Sequence, residues 1–160
     1  MNCVAIFAEF QFPIALGRAV EQIDSAYVMK QWEKLIGRLV HDPEGAITSA
    51  RTLLETVCLH ILESLGKETN HRGDLPALYK ATAAELQLLP RKEDEDAVRQ
   101  ILGSCSGLVL GVATLRNQFG DAHGRLAEGS QRRLAHLPAN TAGTLCIFLV
   151  ESYEALRANV

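Results

Sequence analysis

The stretch that decides the fold class is residues 42–66, DPEGAITSARTLLETVCLHILESLG. Asp42 can cap a helix, Pro43 fits the first helical position, and Glu44 complements the positive end of the helix dipole. Apolar residues then recur at the spacing of a helix that buries one broad stripe: Ile47, Ala50, Leu53, Leu54, Val57, Cys58, Ile61, Leu62 and Leu65. Gly66 is a natural stop, so the pattern predicts a long buried helix.

Two further segments show the same helical spacing. One begins at about Ala97, and its predicted buried side consists of Val98, Ile101, Leu102, Cys105, Leu108, Val109, Val112 and Leu115. The other runs from about Thr141 to Leu156, with Ala142, Leu145, Cys146, Leu149 and Tyr153 on its apolar side. Weaker patterns predict helices near residues 26–40, 75–88 and 13–23, whereas residues 1–12 fit a strand, a helical turn or a packing arm equally well.

Few segments alternate with period two, so we expect little β structure. The sequence therefore predicts an all-α fold, a compact bundle of about five to six helices.

The composition is that of an ordinary globular domain. The 160 residues are 48% hydrophobic and 22% charged, which excludes a disordered or low-complexity chain. The net charge of −3 excludes a global positive field, so any contact with nucleic acid must be local. The start of the chain lacks the basic region of a secretion signal, and no apolar run approaches the roughly 18 residues of a membrane span. We expect a soluble, cytoplasmic protein that does not enter a membrane.

The four cysteines predict neither a zinc site nor a disulfide framework. Cys3, Cys58, Cys105 and Cys146 are far apart in sequence and form no Cys-x-x-Cys pair. Each lies among aliphatic residues, which favours buried, reduced thiols and again a cytoplasmic location. His60 and Glu63 could form part of a metal site, but with no third ligand nearby we expect them at the surface.

Three glycines interrupt the second strong helix at four-residue spacing. Gly103, Gly107 and Gly111 each lower helix propensity by about 1 kcal/mol relative to alanine, so something must offset this cost. Two explanations fit the pattern. The glycines can permit close helix packing inside the bundle, or they can form a groove for a second subunit.

The same helix leads into the most polar segment that follows any apolar helix here, LRNQFGDAHG at residues 115–124. If the helix continues, Arg116 and His123 lie two turns apart on one face, with Gly120 between them. Arg offers a planar fork for phosphate oxygens, and His changes protonation near neutral pH, so the pair suits phosphoryl chemistry. The alternative is structural, with Gly120 ending the helix and His123 bonded to a neighbour.

The charge around this segment is unlike that of the rest of the chain. Residues 113–136 contain four arginines against two acidic residues, a local charge of +2 in a chain of net charge −3, so the remainder is at −5. The arginines are Arg116, Arg125, Arg132 and Arg133.

Five stretches of the sequence together resemble the abortive-infection C-terminal domain, a HEPN-like helical domain. They are DPEGAI (42–47), ARTLLE (50–55), DLPALYK (74–80), LRN (115–117) with GDAHG (120–124), and NTAGT (140–144). The likeness covers roughly residues 42–156 and assigns residues 42–160 to this domain. It leaves residues 1–41 as an N-terminal helical extension that packs on the bundle.

The resemblance implies a ribonuclease of bacterial phage defence or a toxin–antitoxin system, which cleaves RNA without a metal or other cofactor. Arg116, Asn117 and His123 match the family signature of Arg, a polar residue and His, and are the predicted catalytic residues. The site is completed when two copies meet in a homodimer. Some relatives have a modifiable Tyr two positions after the His; this chain has Arg125 there, so we do not expect that control.

Arg125, Arg132 and Arg133 are the candidate RNA contacts. The contrasting hypothesis is a catalytically silent helical adaptor, which uses the same surface to dimerise or to hold a partner protein or a nucleotide. A toxin that is silenced by a separate antitoxin is a further alternative. We expect Arg51, on the first strong helix, to be a surface or ion-pair residue with Glu55 one turn on.

Overall fold

A computed structural model describes residues 26–71, 73–119 and 128–159, with side chains through 115 and again from 133. These residues form five α-helices and no strand: α1 (Ala26–His41), α2 (Pro43–Ser64), α3 (Leu75–Glu85), α4 (Asp96–Phe119) and α5 (Glu128–Ala158). The all-α prediction is confirmed. The segments 1–12 and 13–23, and Cys3, lie outside the described residues.

The α1–α2 junction forms as the sequence predicts. Asp42 is the N-cap of α2, and its carboxylate accepts a 2.9 Å hydrogen bond from the Gly45 amide. Arg38, in the last turn of α1, donates to the Gly45 carbonyl and to the Ser49 hydroxyl, at 3.1 and 3.2 Å. The guanidinium also lies 3.5 Å from the Asp42 carboxylate. A single cation therefore ties the end of one helix to the start of the next.

Helix α2 is the centre of the bundle, because it packs against each of the other four helices. Its predicted stripe is buried, with Leu53, Leu54, Val57 and Ile61 fully shielded from solvent. Burial of such a side chain contributes about 1.5–3 kcal/mol, so α2 anchors the core. The helix ends at Ser64, and Gly66 follows with a φ of +66° while the Lys67 amide donates to the Leu62 carbonyl. The predicted stop at Gly66 is confirmed.

The buried side of α4 is not the side that the sequence predicts. Val109 and Val112 are buried, and Leu102, Cys105 and Leu115 are half-buried. Three other residues of the predicted buried side are exposed: Val98 (44%), Ile101 (65%) and Leu108 (47%). The described residues of the bundle cover only a narrow stripe of α4, and with respect to them that part of the prediction is wrong.

Helix α5 begins thirteen residues earlier than predicted, at Glu128 instead of Thr141. The proline at position 138 and the polar residues before it disfavour a helix locally. Pro138 nevertheless lies inside α5, where Ala135, Ala139 and Ala142 are buried in the core. Tertiary packing of these small residues overrides the local preference.

Candidate functional site

Two of the predicted catalytic residues lie on the last turn of α4. The helix is continuous from Asp96 to Phe119, so Arg116 and Asn117 belong to a regular element that begins more than four turns earlier. Val109, Val112 and Ala113 pack this part of α4 onto the bundle. The backbone at positions 116 and 117 is therefore held by the core.

The third predicted catalytic residue, His123, lies outside the described residues, together with Gly120 and Arg125. These positions belong to the eight residues between Phe119 and Glu128 that connect α4 to α5. Eight residues span at most about 30 Å when fully extended, and α4 and α5 are in contact along the bundle.

The predicted RNA contacts on α5 lie in its first two turns. Arg132 and Arg133 are the fifth and sixth residues of this helix, and the Arg133 side chain is exposed. Arg116 and Arg132 thus stand on the two helices that the connection joins. The local positive charge read from the sequence belongs to the α4–α5 connection and the helix ends that flank it.

The glycine stripe of α4 faces away from the bundle. A Cβ built at Gly107 or Gly111 meets no atom within 4 Å, and one at Gly103 meets only Pro90 Cγ, at 4.0 Å. All three glycines are exposed. The explanation that they permit close packing inside the bundle is wrong for the part of the chain that the structure describes.

The same helix has an unusual composition for an exposed element. Residues Asp96–Leu115 are long and apolar enough to cross a membrane, by length and composition alone, although only 22% of this segment is buried in the bundle. No uninterrupted apolar run marks this segment in the sequence, because glycines and serines separate its apolar residues.

A second polar region lies where α2 meets the loop before α3. The Arg51 guanidinium pairs with Glu55 Oε1 at 2.8 Å and donates to the Gly73 carbonyl. The ion pair expected from the sequence is confirmed. Asp74 caps α3, accepting a 3.0 Å hydrogen bond from the Ala77 amide. The loop before α3 is thus anchored at Gly73 and at Asp74.

Beside this region is a cleft of about 330 Å³ that no sequence pattern predicts. It is lined by Glu55, Leu59, Thr69, Asn70, His71, Gly73, Asp74 and Leu78. Its wall comes from three segments of the chain, and only the fold brings them together. ARTLLE and DLPALYK, two of the stretches that carry the resemblance, meet at this cleft.

The described cysteines match the prediction of free thiols. Cys58 and Cys146 are buried and Cys105 is half-buried. Burial raises the pKa of the Cys58 thiol to about 12, partly offset by the Thr82 hydrogen bond, and burial likewise raises the pKa of Cys146. These thiols are core residues and not nucleophiles.

His60 is half-buried and Glu63 is exposed. Among residues 26–71, 73–119 and 128–159, no three His, Cys, Asp or Glu side chains are close enough together to hold a metal ion.

A model of the Abi_C family, described as a HEPN-like domain, matches residues 26–153 and so includes all of α1 to α4 and most of α5. No protein with a curated description and no solved structure is significantly similar to the chain. The matched range covers more than half of the chain and includes the polar segment at the end of α4, and the chain therefore belongs to the Abi_C family of HEPN-like domains.

Proposed function

We propose that the protein is an endoribonuclease of a bacterial phage-defence or toxin–antitoxin system, active as a homodimer and independent of metal. Because the chain belongs to the Abi_C family, the proposal starts from a role related to defence. The observation that carries the proposal is the place of Arg116 and Asn117, on the final turn of a continuous helix directly before the connection that contains His123. A helix end fixes the backbone of an arginine better than a loop does.

The proposed reaction is attack by a ribose 2′-hydroxyl on its own adjacent phosphate. The new bond joins the 2′-oxygen to phosphorus, and the bond from phosphorus to the 5′-oxygen breaks. The products are a 2′,3′-cyclic phosphate and a free 5′-hydroxyl. His123 accepts the proton of the 2′-hydroxyl, and His123 of the second copy donates a proton to the leaving 5′-oxygen. Each transfer contributes about 10²- to 10⁴-fold.

Arg116 and Asn117 complete the proposed chemistry. Arg116 neutralises charge that develops on the phosphate, which contributes about 3 kcal/mol or more in a dry site. Asn117 orients one of the reacting groups through a hydrogen bond. Arg125, Arg132 and Arg133 contact phosphates on either side of the cleaved linkage, and their charge compensates for the net negative charge of the rest of the chain.

The test is cleavage of total RNA in the presence of EDTA. We expect fragments with 2′,3′-cyclic phosphate ends, and no cleavage of DNA of the same sequence, because DNA lacks the attacking hydroxyl. His123→Ala or Arg116→Ala lowers the rate by about 100-fold or more. The matched control is His136→Ala, which removes an exposed histidine of α5 and leaves the rate unchanged.

The silent adaptor is the outcome that contradicts this proposal. It predicts that the unmodified protein cleaves no RNA pool, and that Arg116→Ala changes only binding to a partner. A toxin that is silenced by an antitoxin is consistent with the proposal. In that case the purified protein, without its antitoxin, cleaves RNA, and expression of the protein alone is toxic.

A further inference from the structure

The cleft between α2 and the start of α3 is small and has a mixed lining. Its volume of about 330 Å³ lies at the low end of small-molecule sites, so it fits a single ring system and not a longer ligand. Leu59 of α2 and Leu78 of α3 give it apolar walls, and the remaining lining residues are polar or, at Gly73, bare backbone. Among the described residues that line the cleft there is no Lys or Arg, so it offers no cationic side chain to a phosphate.

Arg51 fixes one side of the cleft from behind. Its Nη2 atom contacts both the Glu55 carboxylate, at 2.8 Å, and the Gly73 carbonyl. Because one nitrogen reaches both oxygens, the Glu55 carboxylate lies within roughly 6 Å of the Gly73 carbonyl. The side chains of Arg51 and Glu55 are only 18% and 22% exposed. This ion pair is therefore part of the wall, and the charge of Glu55 is already compensated.

The loop that forms the other side of the cleft is held by its own backbone. The His71 amide donates to the Thr69 carbonyl at 3.1 Å, and the Asp74 amide donates to the His71 carbonyl at 2.9 Å. Thr69 and His71 are half-buried, and Asn70 is exposed. The cleft is therefore largely formed before a ligand enters, which lowers the entropic cost of binding.

Asp74 is the carboxylate of this cleft that can meet a ligand. It is exposed, and its Oδ1 accepts the 3.0 Å hydrogen bond from the Ala77 amide that caps α3. An ionised carboxylate accepts about four hydrogen bonds through its two oxygens, so Asp74 can cap the helix and accept from a ligand at the same time. Since an ionised carboxylate donates none, the ligand must present donors to it.

We infer that the cleft binds a guanine base, with the neighbouring N1–H and N2–H donors of its Watson–Crick edge directed at Asp74. The ring packs against Leu59 and Leu78, as unpaired bases pack on apolar side chains. Adenine and cytosine present a single donor group beside an acceptor. Uracil presents its one N–H between two carbonyl oxygens, which a carboxylate repels. Guanine is therefore the base that best fits a group that only accepts.

A cation is the other class of ligand that a carboxylate attracts. Because Glu55 pairs with Arg51, Asp74 is the one exposed carboxylate among the described lining residues, beside two leucines, an amide, a hydroxyl and an imidazole. This mixed lining suits a flat ring with polar edges better than a charged head group. The inference rests on the proposed function in one respect, since the guanine belongs to an unpaired stretch of the bound RNA.

Titration calorimetry of the full chain with nucleosides tests the inference without any cleavage. We expect guanosine to bind, inosine, which lacks the N2 amino group, to bind about 10-fold more weakly, and uridine to show no binding. Asp74→Asn should weaken guanosine binding about 10-fold or more, because a donor replaces one acceptor, whereas Asn still caps the helix. The matched control is Asp42→Asn, the same change at the N-cap of α2 and outside the cleft, which should leave guanosine binding unchanged.

Circular dichroism verifies the fold of both variants, and the comparison of nucleosides needs no variant. A parent that does not bind guanosine overturns the inference. Equal affinities for guanosine, inosine and uridine also overturn it, as does an equal loss of guanosine binding in Asp74→Asn and Asp42→Asn. Binding of L-argininamide in place of guanosine overturns it as well, because the cleft then holds a cation.

The RNA assay separates this inference from the proposed function. Asp74→Asn should raise the KM for RNA and leave kcat unchanged, because Asp74 binds substrate away from the reacting atoms. Guanosine binding without any cleavage of RNA contradicts the proposed function alone. Cleavage of RNA by a protein that does not bind guanosine contradicts the inference alone.

Discussion

At the scale of single residues, the core holds several ionisable groups in their neutral form. Cys58 of α2 and Cys146 of α5 are fully buried, and burial raises the pKa of both. Burial also raises the pKa of Tyr79 on α3, and the neighbouring Cys105 adds to the effect. The charged forms of these groups are disfavoured in the folded state and freely available in the unfolded state.

Stability should therefore decrease at alkaline pH. The pKa of Cys58 is about 12 in the fold and has an ordinary value of 9.0, so the full stabilisation is present below pH 9 and is lost between the two values. In that window the unfolded state releases a proton that the folded state keeps. Each such thiol lowers the free energy of unfolding by about 1.4 kcal/mol per pH unit.

Urea unfolding at about pH 8 and about pH 10.5 measures this effect. In Cys58→Ala the free energy of unfolding should decrease less steeply with pH, by the contribution of one thiol. Ile61→Val is the control, because it costs about 1 kcal/mol of core packing without removing a titratable group and should leave the slope unchanged. Equal free energies of unfolding at the two pH values would contradict burial of these groups.

The sequence predicts the chemistry of single residues well when neighbouring residues decide it. The aliphatic neighbours of Cys58 indicate a buried thiol, and the spacing of Arg51 and Glu55 indicates their ion pair; the structure confirms both. The bond from Arg51 to the Gly73 carbonyl joins residues 22 positions apart, and no local pattern indicates it. The catalytic roles of Arg116, Asn117 and His123 remain predictions.

At the scale of helices, starts and stops follow local chemistry and are predictable. Asp42 and Gly66 bound α2 as expected, because a cap and a left-handed glycine act within a few residues. The buried side of α4 is not predictable in this way. Periodicity shows that residues share a helix face, and a face that meets the core has the same pattern as one that is left outside the bundle. The early start of α5 is also not predictable from the sequence. Pro138 disfavours a helix locally, and tertiary packing decides where α5 begins.

The α2 cap gives a prediction at this scale. Asp42→Ala removes the bond to the Gly45 amide and costs about 1 kcal/mol or more. Gly45→Ala should cost a similar amount, because its Cβ would overlap the Asp42 carboxylate and displace it. The two substitutions remove the same bond, so the double variant should be more stable than the sum of the single losses predicts, by about 1 kcal/mol.

Denaturant unfolding of the four proteins measures this coupling. Gly37→Ala on α1 serves as the control, since a Cβ there meets nothing, and it should raise stability by up to about 1 kcal/mol. Strictly additive losses for Asp42→Ala and Gly45→Ala would show that the cap does not hold this junction.

At the scale of the whole molecule, the bundle is built asymmetrically around α2. Four helices surround α2, and α4 packs against α2, α3 and α5 through a narrow stripe. This arrangement leaves the uncharged glycine face outside and ends α4 at the most basic part of the chain. Among the described residues, α4 thus has an exposed uncharged face and, on its last turn, Arg116, a proposed catalytic residue.

The central claim is that two copies of the motif form one ribonuclease site, and subunit mixing tests it most directly. Parent protein is mixed with His123→Ala protein, subunits are exchanged to equilibrium, and cleavage of RNA in EDTA is measured against the parent fraction. If both His123 residues are needed at one site, only parent–parent dimers are active, so an equal mixture retains about a quarter of the activity. Activity that falls in direct proportion to the parent fraction, about half in an equal mixture, would contradict the shared site.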